Sequence, residues 1–321
     1  MPLPPLSKQV LVSLALSFPL VSCGDGGTDP ADLRLIADFK IELVFINRGT
    51  PSQDAVFIAA ADRWMSILQG ELGDVDFSSA PVPANTCVQG QAAVSDTVDD
   101  LRIYIDIKPL DGPLGTLGQA GPCQIRMTSQ LPVLGFMQLN AADVTRLEQD
   151  GDLVNVILHE MGHVLGIGTL WGNFDTLLVN PSLPSNTGAD THFAGAAARA
   201  AFDAAGGTAY TGGAKVPVDN QADIGASDAH WRETVLQLEL MTPQLQPGIT
   251  NPLSAITAES LADLGYSVDS SGADPFTETF SAPARLTAPG GRVINFENDL
   301  YRGPVQVVDR SGNVIRTIFR R

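Results

Sequence analysis

Positive charge is scarce in this chain. Nineteen Lys and Arg stand against 36 Asp and Glu, a formal net charge of −17 over 321 residues. A surface with that balance repels a phosphate backbone, which excludes nucleic acid as an expected partner. Cysteine is scarcer still, at three, too few for a scaffold held together by disulfides. Histidine numbers only four, so any two at a ligating spacing stand out. What is plentiful is apolar material, 44% of the chain against 17% charged, enough for a sizeable core and one main domain with appendages.

The N-terminus stands apart. Lys8 precedes the apolar run Val10–Val21, which is too short to cross a bilayer comfortably and has the character of a signal-peptide core. Leu20-Val21-Ser22 leads directly into Cys23 and resembles a bacterial lipobox, which implies lipidation of Cys23. Residues 1–23 are expected to be a lipoprotein signal peptide. Residues 24–37, rich in Gly and Asp, are expected to be a flexible tether. Export removes Lys8 and no acid, leaving 18 − 36 = −18. The expected location is the cell envelope, with a lipid anchor in the membrane. In that oxidising compartment Cys87 and Cys123 remain as a pair, so a disulfide is expected, with two buried thiols as the alternative.

Farther along, Phe39–Ile46, Asp99–Ile107 and Leu134–Leu139 alternate as strands. Asp54–Leu68, Ala141–Glu148, Phe193–Ala205 and Thr257–Leu264 have helical spacing, and Asp111–Pro122 is expected to be a glycine-rich loop. A helix is predicted from Asp152, its expected N-cap, to the stop signal Gly166 and Gly168. Leu153, Val156, Ile157, Met161 and Val164 form its apolar face. A β-hairpin is predicted where Pro304–Val308 and Asn313–Ile318 flank Asp309-Arg-Ser-Gly312.

That central helix carries His159-Glu160-Met161-Gly162-His163. Residues i and i+4 share one helix face, so His159 and His163 can offer two imidazoles to a single zinc ion. Glu160, rotated about 100° from His159, reaches a water on the metal rather than the metal itself, which is the general-base role in peptide hydrolysis. A catalytic zinc takes three protein ligands, and the motif supplies two.

With Gly166 three residues after His163, the segment matches the H-E-x-x-H-x-x-G core of the metzincin metallopeptidases. Most metzincins place the third histidine three residues beyond the glycine, where this chain has Thr169. The leishmanolysin branch inserts a long segment first, and Ser227–Glu233 followed by Glu239–Pro243 resembles the continuation of that branch. The chain is similar to a leishmanolysin-like peptidase over about 38–268. The resemblance implies an α+β fold: a mixed twisted sheet, an active-site helix and a mainly helical and loop C-terminal subdomain, here with a β extension over 269–321. It implies His230 as third ligand, 230 − 163 = 67 residues beyond the motif, Met241 beneath the metal without ligating it, and protein or peptide substrates. His192 competes for the third position. The leishmanolysin enzymes of trypanosomatids are rich in disulfides and carry a cysteine-bearing propeptide; the few cysteines here and the lack of an obvious propeptide count against a cysteine-based latency.

Two rival readings remain. A surface binding or adhesion protein could keep the fold and the metal without turnover, but it has no need of Glu160. A serine site of Ser227, Asp228 and His230 is too crowded in sequence for a triad.

Overall fold

Alternating β-branched and aromatic residues begin the structured part of the chain at strand β1 (Ile41–Asn47). The computed structural model describes residues 38–173, 176–182, 186, 188–220, 226–277, 293–296 and 298–319, so the signal segment, Cys23 and the tether lie outside the described residues. After β1, Thr50-Pro51-Ser52-Gln53 forms a capping box: Thr50 Oγ1 accepts from the Gln53 N–H at 3.3 Å, and Gln53 Oε1 accepts from the Thr50 N–H at 3.0 Å. Proline preset at the first helical position completes the start signal, and helix α1 runs Pro51–Met65. It begins before the expected 54–68 because this cap fixes its first turn, and it ends at Met65 with Ser66 as its C-cap.

Strands β2 (Leu101–Lys108), β3 (Gly118–Arg126) and β4 (Pro132–Asn140) follow. β1, β2 and β4 are mutually parallel and β3 is antiparallel to β4, the mixed sheet of the expected α+β class. β3 corrects the sequence reading, since the second half of the expected loop Asp111–Pro122 is strand. Gly121 and Pro122 are poor strand formers, and the register slips just past Pro122, whose ring offers no N–H to the ladder.

Helix α2 (Ala141–Asp150) stops at Gly151, and α3 (Leu153–Leu165) starts at once. Val156, Ile157, Met161 and Val164 are fully buried in one apolar cluster with Ile103, Ile105, Met137 and Leu139 of the sheet. Burying each such side chain is worth roughly 1.5–3 kcal/mol. Tyr104, Leu134 and Phe136, one residue out of phase, point into a second cluster with Val75, Phe77 and the Cys87–Cys123 disulfide. The sheet therefore has α3 on one face and a disulfide-tied segment on the other. Trp64 Nε1 donates to the Leu158 carbonyl at 3.1 Å and joins α1 to α3. Asp152 does not cap α3 with its side chain. Its own backbone is helical (φ −92°, ψ −12°), and its Oδ1 instead accepts from the Gly248 N–H at 2.9 Å.

Helix α4 spans Ala196–Phe202, shorter than the expected 193–205, and the chain then turns through Gly206 at φ 112°. Helix α5 (Ala255–Leu264) ends at Gly265 in the left-handed region, as expected. Strand β5 (Gln244–Leu245) pairs antiparallel with β6 (Ile294–Asn295). β7 (Val305–Val308) and β8 (Val314–Ile318) form the expected hairpin, which is built into the main sheet rather than appended to it. β7 lies parallel to β3, giving the order β1-β2-β4-β3-β7-β8.

The disulfide ties the segment around Cys87 to β3. The Cys87→Ala/Cys123→Ala double variant should lose about 2–4 kcal/mol of stability while keeping the fold of the main sheet. Chemical denaturation alongside circular dichroism checks both, and an unchanged denaturation midpoint would contradict the expectation.

Candidate metal centre

One turn apart on α3, His159 and His163 bring their Nε2 atoms to 3.1 Å. Gly166 ends the helix at φ 118° and Gly168 continues the turn at φ 69°. A side chain at Gly168 would run into the Ala229 carbonyl, so glycine there lets the loop carrying His230 lie against the end of α3. His230 Nε2 consequently stands 3.1 Å from both other Nε2 atoms. Thr169, where most metzincins carry their third histidine, donates its hydroxyl to the His163 carbonyl at 2.7 Å. His192 is held elsewhere, by a contact of its Nδ1 with the Asp190 carbonyl.

A fourth group joins them that the sequence reading missed. Asp299 Oδ2 lies 3.1, 3.2 and 3.0 Å from the Nε2 atoms of His159, His163 and His230, and all four residues are buried. No ligand spacing marks Asp299 in the sequence. It follows β6 and sits 136 residues beyond His163, so only the fold reveals it.

The ring tautomers decide what these atoms can hold. His159 Nδ1 donates to the Leu240 carbonyl at 2.7 Å, His163 Nδ1 to Ile167 at 2.9 Å and His230 Nδ1 to Ala226 at 2.9 Å. A carbonyl only accepts, so in the neutral rings each proton is on Nδ1 and each Nε2 presents a lone pair. Burial holds His159 and His163 below the ordinary imidazole range, His159 at about 3. Burial pushes His230 the same way, but the Asp299 carboxylate more than offsets it and leaves His230 raised. Without a cation, lone pairs and a carboxylate would crowd one point with too few protons to share. A regular tetrahedron with these 3.0–3.2 Å edges has its centre about 1.9 Å from each corner, close to the 2.0–2.1 Å of a zinc–imidazole bond. The donor set fits zinc.

Around it, Glu160 is fully buried, and neither carboxylate oxygen has a hydrogen-bond partner among the described residues. Burial raises its carboxyl well above the usual range, and Asp299 adds in the same direction. Met241 lies beneath α3, where only the absent side chain of Gly162 leaves room for its sulfur; a Cβ there would meet Sδ at 2.8 Å. Glu239 fixes that turn. Its carboxylate accepts from the Met241 N–H at 2.6 Å, Ser254 Oγ at 2.6 Å and Thr257 Oγ1 at 2.5 Å.

A family model described as Leishmanolysin matches residues 67–281, which include all three histidines and Met241 but not Asp299. No curated protein matches the chain.

The purified chain is expected to hold about one zinc, as a single tetrahedral site requires. His230→Ala should bind zinc more weakly than the parent chain and His192→Ala as tightly; zinc affinities of both variants reverse the assignment if the outcomes are exchanged. Glu239 gives a pH expectation. Burial raises its carboxyl from 4.5 to about 7 in the fold, so the folded state binds the proton more tightly and loses stability as pH climbs through that interval. Between pH 5 and 8 the melting temperature of Glu239→Gln should fall less steeply than that of the parent chain.

Proposed function

The chain belongs to the leishmanolysin family, whose members are zinc metallopeptidases, and from that premise we propose that it is a zinc-dependent endopeptidase with Glu160 as general base. The observation that carries this reading is a buried carboxylate without a hydrogen-bond partner among the described residues, next in sequence to the first of three imidazoles whose Nε2 lone pairs converge. When bound, zinc supplies Lewis acidity toward the substrate carbonyl and lowers the pKa of a water to about 7.

His159, His163 and His230 provide three neutral ligands whose orientation is fixed by their Nδ1–H bonds to backbone carbonyls. Glu160 takes a proton from the attacking water as its oxygen bonds to the scissile carbon. The carboxylic acid so formed then gives that proton to the departing nitrogen, which keeps the electron pair of the broken C–N bond. A buried carboxyl whose charged form is disfavoured is suited to holding a proton between those two steps. Met241, packed on Gly162, supports the helix from below without ligating.

A second reading, a binding protein with a structural metal, draws on Asp299, because four protein ligands are the mark of a closed site. Glu160 favours hydrolysis, since a closed structural site gains nothing from burying an unpartnered carboxylate beside it. For localisation, the reading is an exported protein anchored through lipid on Cys23, supported by Lys8, the apolar run Val10–Val21 and the lipobox-like Leu20-Val21-Ser22-Cys23.

Glu160→Ala should keep its zinc and lose hydrolysis of a protein such as casein by about two to four orders of magnitude, the usual contribution of a general base. Undiminished turnover in that variant removes the mechanism. Mass spectrometry of the native N-terminus is expected to find acylated Cys23, and an unmodified N-terminal residue would remove the anchor.

A further inference from the structure

Resting on the zinc-peptidase reading above, we infer that Asp299 is a fourth, removable ligand of the metal. The segment carrying it, residues 293–296 and 298–301, occupies the place of the substrate and holds the resting chain latent.

A peptide bond to be cleaved has to reach the open corner of a three-histidine site, and an extended peptide gains affinity by pairing with an exposed strand edge. Both positions are taken. Asp299 Oδ2 fills the fourth corner of the tetrahedron, within 3.0–3.2 Å of all three Nε2 atoms. At β3 the Ala120 N–H donates to the Asp299 carbonyl at 2.7 Å, and the Tyr301 N–H donates to the Ala120 carbonyl at 2.8 Å. Leu300 thus bridges Ala120 in parallel, and both backbone groups of Ala120 are spent.

The segment is clamped on either side of the metal. Before it, β6 pairs with β5, and the Phe296 N–H donates to the Pro243 carbonyl at 2.9 Å. The Phe296 ring lies flat on His159, with centroids 3.8 Å apart and planes 5° from parallel. After it, Tyr301 packs edge-on against Phe136 at 4.9 Å, and β7 joins β3.

What the segment offers the metal is a side-chain carboxylate and not a peptide carbonyl, so no scissile bond is presented at the centre and the occupant is not consumed. Being part of the same chain, it competes at the effective concentration of a tethered ligand, which a free substrate must overcome. The three histidines suffice to keep the ion, so withdrawing Asp299 opens a coordination position without emptying the site. Glu160, already buried beside Gly118 of β3, needs no rearrangement beyond that withdrawal.

The test uses the full chain loaded with cobalt in place of zinc, read by visible absorption, with acetohydroxamate as a small metal-directed probe. In the parent chain the spectrum should be that of a four-ligand site and resist the probe. Asp299→Ala should keep its cobalt and change its spectrum. It should bind acetohydroxamate at least about tenfold more tightly, since apparent affinity scales with the open fraction. Phe296→Ala, which leaves every ligand in place but removes the ring stacked on His159, should shift probe affinity in the same direction. With zinc restored, Asp299→Ala should also hydrolyse casein faster than the parent chain. Equal probe affinity in the parent and Asp299→Ala chains overturns the inference whether or not either chain is a peptidase. Loss of cobalt from Asp299→Ala also overturns it, since the ligand would then be structural. A variant that opens to the probe but cleaves nothing, like Glu160→Ala, leaves the latch standing and removes the peptidase reading instead.

Discussion

Three imidazole lone pairs and a carboxylate aimed at one point constitute the constraint on which the rest of the structure depends. Each imidazole is locked by a backbone carbonyl: Leu240 just before Met241, Ile167 just after the end of α3, and Ala226 at the head of the loop that carries His230. Those carbonyls belong to three different segments. Displacing any one of them would free a ring to rotate or change tautomer, and the convergence would be lost. The turn through Gly166 and Gly168, the room left by Gly162 for Met241 and the buried Glu239 beneath it all serve that one geometry. The packing around α3 and these carbonyl bonds hold the convergence together.

The legible part of this arrangement was local. An i, i+4 pair on an amphipathic helix, a glycine stop, and the similarity of Ser227–Glu233 and Glu239–Pro243 to a known continuation are short-range patterns, and the helix and its neighbours form where those patterns place them. Strand β3 was not legible, because Gly118, Gly121 and Pro122 carry a loop's composition. They are tolerated because neighbours fit against the bare backbone: Tyr301 against Gly121 and the Glu160 carboxyl against Gly118. Asp152 shows the same limit in reverse. Its residue type suits a helix cap, yet the preceding left-handed Gly151 delivers it already helical and its carboxylate goes to Gly248. Asp299 has no local signature at all, since an acidic residue in a loop joins such a cluster only through tertiary contacts that bring it back from 69 to 140 residues along the chain.

Those contacts tie the metal centre to the edge of the main sheet. β7 pairs with β3 through Gln124, Ile125 and Arg126, while Leu300 bridges the same strand at Ala120, so one continuous run of chain both extends the sheet and delivers the carboxylate. The apolar side of that run is committed as well, with Leu300, Val305, Val307 and Val308 all buried. Removing Asp299 from the metal therefore need not dismantle the hairpin. Among the described residues, the backbone bonds of the span around Asp299 run to Ala120 on one side and to β5 and Pro243 on the other, whereas β7 and β8 hold each other and β3 through a longer ladder. The segment therefore divides into an anchor beyond residue 304, tied by that ladder, and a span before it that is buried but tied by fewer backbone pairs. On the latch inferred above, a carboxylate on that span would leave and return while the anchor keeps it near, and a closed four-ligand centre and a hydrolytic one would be two states of a single fold.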